Sequence, residues 1–475
     1  MNSNTFRAQA HLLVDWMADY LENIEKFPVK SQVSPGEIYS KLPQSPPSSG
    51  ESMEAIIADF KEVILPGITH WQHPHFHAYF AGNSSFPSVL AEMLTATMGA
   101  QCMLWDTSPA AAELEERVLE WLGQMLGLPS GFTGVIQDGA STATLCALLT
   151  AREKYSDFTI NKSGAAANHK YRIYCSTETH SSIEKAAQIA GLGSENVVKV
   201  AVDKKYAMES RALELAIEQD LDQGFRPLCV ITTLGTTGST AIDPLPEIAA
   251  LTQKQQLWLH VDAAWAGTAL VLPEYRWMIE GLEHADSFVC NPHKWMFTNF
   301  DCTAYFIKDP DALQRTFSVL PEYLRTQNQG QVNNYNSWGI PLGRRFRALK
   351  LWFVIREMGL DGIRETISNH ISWAKQFAQW VEEHPDFELL APVPLALVCF
   401  RYKPGQVSDE EQLADINRRL LERLNKSGKM YLTHTKLSSK YTLRLVTGQT
   451  NLQEHHIKEA WDWVQEAVEH LNSSE

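Results

Sequence analysis

A lysine that follows an apolar run is the residue of this chain with the clearest chemical potential. Lys294 comes after the apolar residues 287–290 and is flanked by His293 and Trp295, where a buried strand is expected to end. Desolvation disfavours the ammonium ion, so a lysine in such a place can hold a neutral amine. A neutral amine condenses with aldehydes to form a Schiff base. A solvated lysine at a strand end is the alternative, and it is the more common arrangement.

An acidic residue occupies a comparable position 32 residues before Lys294. Asp262 ends the apolar segment 257–261 and is followed by Ala263 and Ala264. A carboxylate there can keep the pyridine nitrogen of pyridoxal 5′-phosphate (PLP), the common aldehyde cofactor, protonated, and a protonated ring is an electron sink. The two alanines would let a flat ring lie against the backbone. A helix-capping aspartate is the alternative.

Two further loops could complete a cofactor site. Residues 134–144 join a short strand to a helix, Gly139 allows close backbone approach, and Ser141 is the expected N-cap. The N–H groups at the start of such a helix form a seat for a phosphate. His180 follows the apolar strand 172–175 and could stack on the face of a ring, although a lone histidine is more often structural.

The order of these elements along the chain is phosphate loop, stacking histidine, ring-nitrogen aspartate and Schiff-base lysine. With them, the chain resembles the PLP-dependent group II amino-acid decarboxylases, particularly the aromatic-L-amino-acid (DOPA) decarboxylases. The resemblance covers nearly the whole chain, because further matching runs lie at 66–71, 108–115, 233–237, 299–302 and 341–347. It implies an α/β chain of PLP fold type I (aspartate-aminotransferase-like), with PLP as the cofactor.

The resemblance assigns roles to individual residues around that cofactor. Lys294 would carry PLP, Asp262 would pair with the ring nitrogen, and His180 would stack on the ring. Six further positions are expected to contact the cofactor, four at its phosphate and two at its ring: Ala140, Ser141, Asn291, His293, Thr237 and Ala264.

A polar segment, residues 323–337, lacks the apolar side chains needed to pack down, and we expect it to be a mobile loop. It is either a plain surface loop or a lid over the substrate. In the family the loop carries a catalytic tyrosine, so Tyr323 is the candidate donor of a proton to the α-carbon. Related aldehyde synthases have phenylalanine there. Tyr323 therefore favours a decarboxylase over an aldehyde synthase, which is the second candidate.

The substrate pocket is also predicted by resemblance, with two of its residues coming from a partner subunit, Gln101 and Met103. The other expected positions are Trp71, Tyr79, Phe80, Gly82, Phe300 and Gly343. Many aromatic-specific members have apolar residues at 101 and 103 and a larger residue at 82. Gly343 fits aromatic-type members better than histidine decarboxylases. DOPA, tyrosine, tryptophan and phenylalanine all remain open, as does a non-aromatic substrate such as histidine or 2,4-diaminobutyrate.

The elements that must position these residues follow from the apolar pattern. Between about residues 130 and 310, strand-like runs alternate with helical segments, which predicts a mostly parallel sheet with helices on both faces. By resemblance the sheet is seven-stranded, and its site lies at the carboxyl ends of the strands. The expected domains are an N-terminal helical segment (1–84), a large PLP-binding domain (85–348) and a small C-terminal α+β domain (349–475).

The N-terminal segment opens with apolar residues at helical spacing between 6 and 24, and a second helix is expected near 53–64. A linker, 43–50, separates the two helices, so the segment has little core of its own. We therefore expect it to clasp a second subunit in a homodimer with active sites at the subunit interface.

Composition excludes several partners. The 475 residues carry a net charge of −15, which opposes binding to nucleic acid and to anionic membranes. No apolar run approaches the roughly 20 residues that span a bilayer, and Asp15 and Asp19 are incompatible with a signal peptide. The seven cysteines include no C-x-x-C pair and suit a reducing cytoplasm, which is the expected location.

Four histidines between 70 and 77 invite a metal-site hypothesis. Pro74 interrupts the run, no cysteine or acidic residue joins it, and His70-Trp71 already matches the family pattern. We therefore predict no metal. A histidine-rich metal-binding hydrolase and a catalytically silent PLP-fold protein remain the alternatives of a different class.

Overall fold

Two β-sheets organise the chain in the computed structural model, which describes residues 1–164, 170–319 and 331–472. The strands of the seven-stranded sheet are β1 Thr133–Gln137, β2 Tyr171–Ser176, β3 Val197–Val200, β4 Arg226–Thr233, β5 Trp258–Asp262, β6 Ser287–Cys290 and β7 Thr303–Ile307. Those of the four-stranded sheet are β8 Phe387–Leu389, β9 Leu397–Tyr402, β10 Thr433–Leu437 and β11 Lys440–Val446.

Helices precede the first strand and lie between and after the strands along the chain. They are α1 Ser3–Glu22, α2 Glu37–Lys41, α3 Met53–Asp59, α4 Phe86–Met98, α5 Pro109–Leu126, α6 Ala140–Tyr155, α7 Ile160–Ser163, α8 Ser182–Ile189, α9 Ser210–Asp222, α10 Leu245–Gln255, α11 Pro292–Trp295, α12 Pro310–Phe317, α13 Arg347–Glu383, α14 Glu410–Lys426 and α15 Glu454–Asn472. Within α13 the backbone is non-helical at Gly359, where φ is 65°. Across the described ranges, no helix is both long enough and apolar enough to cross a bilayer.

The chain divides into two compact units. The first unit is Met1–Ala81 with Gln376–Leu390 and Cys399–Glu475, and the second unit is Gly82–Lys375 with Ala391–Val398. The second unit holds the seven-stranded sheet, and the first unit holds the N-terminal helices together with most of the four-stranded sheet.

The order of strands in the large sheet is β1-β7-β6-β5-β4-β2-β3. The five strands from β6 to β3 run parallel, while β7 is antiparallel to both of its neighbours. Helix α6 packs across β4 to β7, and α9 and α10 pack near β4. Strands β5, β6 and β7 are buried along their whole length, which is typical of strands that are covered on both faces of a sheet. The predicted fold class is confirmed.

The carboxyl ends of the central strands are level with one another. Thr233, at the end of β4, is in register with Asp262 at the end of β5, and Asp262 is in register with Val289 in β6. The loops that leave these three strands therefore begin at one edge of the sheet, where open parallel sheets bind ligands.

The predicted helices of the first unit are present. Helix α1 covers the expected apolar stripe, although Phe6 and Val14 remain exposed in the single chain. The second predicted helix is α3 followed by a π-helical turn, Phe60–Ile64. The strands expected near 396–401 and 441–446 are β9 and β11.

Candidate active site

The loop between β1 and α6 presents a helix N-terminus without a side-chain cap. Gly139 is the N-cap residue, with an extended backbone (φ −168°), and a Cβ added there would meet no atom within 4 Å. Ala140 and Ser141 supply the first helical residues, and Ser141 is exposed. The prediction of Ser141 as N-cap is wrong, because the helical geometry already begins at Ala140. The first-turn N–H groups next to open space are nevertheless suited to an anion.

Lys294 lies in the one-turn helix α11, just beyond the end of β6. Its N–H donates to the Asn291 carbonyl oxygen (2.9 Å), and its own carbonyl accepts from the Asn83 Nδ2 (2.5 Å). Burial of the amine lowers the pKa of Lys294 below its ordinary value, while the negative charge of Asp262 opposes that shift. Burial therefore shifts the Lys294 amine toward its neutral form.

Asn291 and His293, which precede Lys294 at the start of the same turn, are both buried. The Asn291 Oδ1 accepts from Thr303 Oγ1 (2.9 Å). The His293 Nδ1 accepts from the Cys302 N–H (2.9 Å), so a neutral ring carries its proton on Nε2. Desolvation, followed by the nearby charge of Lys294, lowers the pKa of His293 to about 3. His293 is therefore neutral at physiological pH.

Asp262 ends β5 and is 6% exposed. Its Oδ1 accepts from the Ala264 N–H (3.0 Å), which fixes the carboxylate beside the loop that leaves the strand. The neighbouring loop after β4 approaches closely at Gly235, where φ is 84° and a Cβ would lie 2.5 Å from the Cβ of Ala266. Thr237 lies in this second loop and is exposed.

His180 lies in the loop after β2 and keeps part of its ring exposed. Its Nδ1 accepts from the Ser182 N–H (3.1 Å), so the neutral ring carries its proton on Nε2. Desolvation lowers the pKa of His180, the charge of Asp262 raises it, and the charge of Lys294 lowers it. The structure thus brings His180, Asp262 and Lys294 within electrostatic range of one another, as the sequence predicts.

Three other predicted residues form a second group in the same unit. The Gln101 Oε1 accepts from the Arg344 N–H (3.2 Å), and a Cβ on Gly343 would lie 3.5 Å from that oxygen. The carbonyl of Met103 accepts from the Asn336 N–H (2.9 Å). The segment around Gln101 is therefore hydrogen-bonded to the segment that contains Gly343.

Two predicted substrate residues lie beside α11. A Cβ on Gly82 would lie 3.8 Å from the His293 carbonyl oxygen. The exposed ring of Phe300 packs edge-on against the His293 ring, with 4.8 Å between the ring centroids. Gly82 and Phe300 thus lie next to the turn that carries Lys294.

The remaining predicted substrate residues belong to the first unit and form an aromatic group there. Trp71 and Tyr79 stack with 5.8 Å between centroids, and both are exposed. The Tyr79 hydroxyl lies 3.3 Å from that of Tyr431. The guanidinium of Arg444 lies 5.4 Å from the centre of the Phe80 ring.

Tyr323 lies outside the described residues. The end of the predicted loop is described, and there the segment packs down, contrary to the expectation that it lacks the side chains to do so. Residues Tyr335–Ser337 form a 3₁₀ turn in which Tyr335 is buried, with the Arg344 guanidinium 4.7 Å from its ring. The buried Tyr335 ring anchors the described end of this segment.

Sequence reasoning missed Asn83. Its N–H donates to the His293 carbonyl (3.1 Å), and its side chain donates to the Lys294 carbonyl, so it supports the turn that carries Lys294. Asn83 is 211 residues distant in sequence from Lys294, and no local pattern marks it.

The four histidines between 70 and 77 are buried in the first unit. The His75 ring packs edge-on against His456, with 5.0 Å between centroids. In the described part of the chain, no group of three or more histidine, cysteine, aspartate or glutamate residues has the arrangement of a metal site.

The residues at the sheet edge fit PLP. A partly buried lysine whose amine has a lowered pKa suits the aldehyde, and the buried carboxylate of Asp262 on the neighbouring strand suits the pyridine nitrogen. An uncapped helix start beside open space suits the phosphate.

Comparison with known proteins agrees with this geometry. Residues 35–403 match the model of the pyridoxal-dependent decarboxylase conserved domain. The chain is 44% identical to phenylacetaldehyde synthase of Arabidopsis thaliana, over 99% of this chain and 97% of that protein. It is also 44% identical to tyrosine decarboxylase 2 of Narcissus pseudonarcissus, over 97% and 93% of the two chains. The crystal structure of Oryza sativa TDC with PLP and tryptamine superimposes with a TM-score of 0.96 at 34% identity, covering 99% of both chains. The chain therefore belongs to the pyridoxal-dependent decarboxylase family, and PLP is its cofactor.

Proposed function

We propose that this enzyme decarboxylates an aromatic L-amino acid to the corresponding amine and CO₂. The observation that carries the proposal is the buried Lys294 amine at the sheet edge, with Asp262 and His180 in electrostatic range. When bound, PLP supplies an electron sink that weakens the bonds at the α-carbon. Relatives that are tyrosine and tryptophan decarboxylases support the aromatic substrate class.

In this proposal each polar residue at the sheet edge has one task. Lys294 would bind the cofactor aldehyde, because its lowered pKa makes the neutral, nucleophilic form of the amine easier to reach. Asp262 would keep a proton on the pyridine nitrogen, and the hydrogen bond that it accepts from the Ala264 N–H holds the carboxylate in place. His180 covers the ring face, oriented by the Ser182 N–H.

The phosphate contacts would come from two helix starts. The N–H groups of Ala140 and Ser141 open α6, and Asn291 and His293 open α11. A neutral His293 can donate through Nε2, since its Nδ1 already accepts from Cys302. The ring itself would be lined by two residues with small side chains, Thr237 and Ala264.

We further propose that the functional unit is a homodimer whose subunits share their active sites. Four apolar side chains of α4 are exposed at four-residue spacing, so they form a stripe along one helix face: Phe86, Leu90, Leu94 and Met98. A continuous exposed apolar stripe is typical of an interaction surface. If Gln101 reaches the partner's pocket, Gly343 must come from the same subunit as Gln101, because the two are in contact.

The substrate side chain would be recognised by aromatic residues, and two glycines would leave space for it. Trp71, Tyr79 and Phe80 supply rings, while Gly82 and Gly343 leave room. Phe300 and Met103 add apolar surface, and Gln101 adds an amide. We assign the final proton transfer to the α-carbon to Tyr323, because a phenol is protonated at neutral pH.

The second candidate function is an aldehyde synthase, and the 44% identity to phenylacetaldehyde synthase favours it. Tyr323 argues against it, since phenylalanine is expected at this position in such enzymes. A cytoplasmic location also stays a proposal, supported by seven cysteines that are all buried. The domain limits at 84/85 and 348/349 likewise stay predictions.

Covalent mapping tests the proposal. Borohydride reduction of the holoenzyme followed by mass spectrometry should place the cofactor on Lys294, and Lys294→Ala should abolish turnover without unfolding the protein. Lys350 is a matched control, because it is also buried but lies 3.1 Å from the Glu92 carboxylate. A label on Lys350 would refute the assignment. Release of CO₂ and amine from a panel of amino acids then identifies the substrate.

A further inference from the structure

Two tryptophans stack next to the residues that would bind the cofactor. The rings of Trp265 and Trp295 lie 4.1 Å apart between centroids and are parallel to within 3°. Their side chains are 3% and 0% exposed. Trp295 directly follows Lys294, and Trp265 comes three residues after Asp262. The stacked pair therefore joins the loop after β5 to the turn after β6.

The same two segments are already in close contact nearer the sheet. The Asn291 N–H donates to the Ala264 carbonyl oxygen (2.8 Å), so hydrogen bonding between β5 and β6 continues past the strand ends. A Cβ on Gly267 would lie 2.7 Å from the Cβ of Cys290, which leaves no room for a side chain. The indole stack adds a further contact between these two closely packed segments.

A third element fixes the stack from another direction. The Trp295 Nε1 donates to the His370 Nδ1 in α13 (3.0 Å), and the two rings are parallel to within 7°. His370 is 75 residues from Trp295 in sequence. Both the ring face and the N–H of Trp295 are therefore held by residues outside its own turn.

Helix α11 needs such support because it is only four residues long and no side chain caps it. A single helical turn has no stability of its own in water, so tertiary contacts must set its orientation. Trp295 is fully buried and anchors this turn, whereas the neighbouring Lys294 retains some exposed surface.

We propose that Trp265 and Trp295 are positioning residues that hold the Lys294 amine at a fixed place relative to Asp262. This inference rests on the proposed function, in which both residues act on the bound cofactor. Misplacing a reacting group by about 1 Å can cost roughly 100-fold in rate. The stack therefore contributes to catalysis without touching substrate.

The test compares Trp265→Leu with a matched control, Trp258→Leu, in the holoenzyme. Trp258 is as buried as Trp265, but it begins β5, at the opposite end of that strand from Asp262. Its Nε1 donates to the Ser287 Oγ (3.2 Å). Each variant is measured for thermal unfolding, for kcat and KM, and for the pH midpoint of the visible absorption band of the Lys294-bound cofactor.

For Trp265→Leu we expect kcat to fall by about 10-fold or more, with a smaller change in KM. The spectral midpoint should move upward by roughly half a pH unit or more, because loosening α11 admits water and relieves the desolvation of the Lys294 nitrogen. Trp258→Leu should lower the unfolding temperature without moving the midpoint. Trp265→Phe, which keeps a ring to stack, should restore most of kcat.

A normal midpoint and a normal kcat in a destabilised Trp265→Leu protein would overturn the inference and leave the proposed function intact. If Trp265→Leu does not fold, Trp295→Phe replaces it, since this change keeps a ring but removes the donor to His370. The same spectral shift, smaller in size, is then expected, and a wild-type midpoint would refute the inference. Absence of a visible band and of a borohydride label in the wild type would instead refute the proposed function.

Discussion

The buried histidines of the first unit should make the protein sensitive to acid. Burial, with repulsion from neighbouring histidines as the next cause, lowers the pKa of His73 to about 3 and that of His75 to about 2. Burial also lowers the pKa of His77 to about 4. These rings are therefore neutral in the folded protein, whereas each takes up a proton near pH 6.5 once the chain unfolds. Their contribution is fully present above about pH 6.5 and is lost as the pH falls toward 4 and below.

The size of the effect follows from proton linkage. Between about pH 8 and pH 5, the unfolded chain gains about 2 kcal/mol from protonating each histidine, while the folded chain gains almost nothing. Protonation of the three histidines therefore lowers the free energy of unfolding by about 6 kcal/mol, which is a large part of a typical folding free energy. Burial raises the pKa of Asp243 to about 6. Protonation of this carboxyl as the pH falls from about 8 to about 5 stabilises the folded protein by about 1 kcal/mol. The histidines outweigh it.

The assay is urea unfolding of the holoenzyme at about pH 8 and about pH 5, with His75→Gln compared to wild type. Glutamine cannot titrate, but it can still donate to the Glu459 carboxylate, which lies 3.0 Å from the His75 Nε2. We expect the pH-dependent loss of stability to be about 2 kcal/mol smaller in this variant. His11→Gln is the control, because His11 is exposed on α1.

Two results would refute this reasoning. Equal unfolding free energies at the two pH values in the wild type would mean that these rings are not neutral and buried. An unchanged pH dependence in His75→Gln would mean that other groups cause the acid sensitivity. The His11→Gln control should reproduce the wild-type pH dependence to within a few tenths of a kcal/mol.

Three further predictions concern the active site and the proposed dimer. Asp262→Asn should weaken PLP binding and slow turnover, because an amide cannot keep the ring nitrogen protonated, and wild-type turnover at full cofactor occupancy would disprove that role. Leu90→Asp and Leu94→Asp should each shift the protein toward monomer in sedimentation and lower activity in parallel, whereas an active wild-type monomer would contradict the shared site. Tyr323→Phe should lower amine production by roughly 100-fold or more, the usual contribution of a positioned acid. Aldehyde and ammonia should appear in its place, and a normal amine yield without aldehyde would show that another group donates the proton.

The large sheet could be predicted because its central strands are mostly apolar. Strands β5 and β6 are buried along their whole length, so apolar residues dominate both, and a polar residue marks the end of each run. Asp262 and Asn291 mark those ends in the sequence. The parallel order of the strands then brings the marked ends to one edge, and the position of the site follows.

Local errors arose where one residue outweighed the pattern around it. Ser141 has the chemistry of an N-cap, but Gly139 already adopts the extended backbone that precedes the helix. Tyr335 is an aromatic residue in a mostly polar segment, and it is buried within the 3₁₀ turn Tyr335–Ser337. Propensity averaged over a window misses both cases.

The supporting contacts could not be predicted, because their partners are distant in sequence. Asn83 and His370 reach α11 from 211 and 75 residues away. An asparagine or a histidine in a helix or loop has many possible partners, and only the tertiary fold selects one. Local periodicity carries no information about such pairs.

Strand register determines whether the polar residues at the strand ends form one site. Thr233, Asp262 and Val289 are aligned across β4, β5 and β6. Successive residues of a strand face opposite sides of the sheet, so a slip of one position would turn Asp262 away from the loop that carries Lys294. Two glycines oppose such a slip, since Gly235 and Gly267 each lie where any Cβ would clash with the neighbouring segment. The close packing of these loops and the chemistry of the lysine therefore depend on the same register.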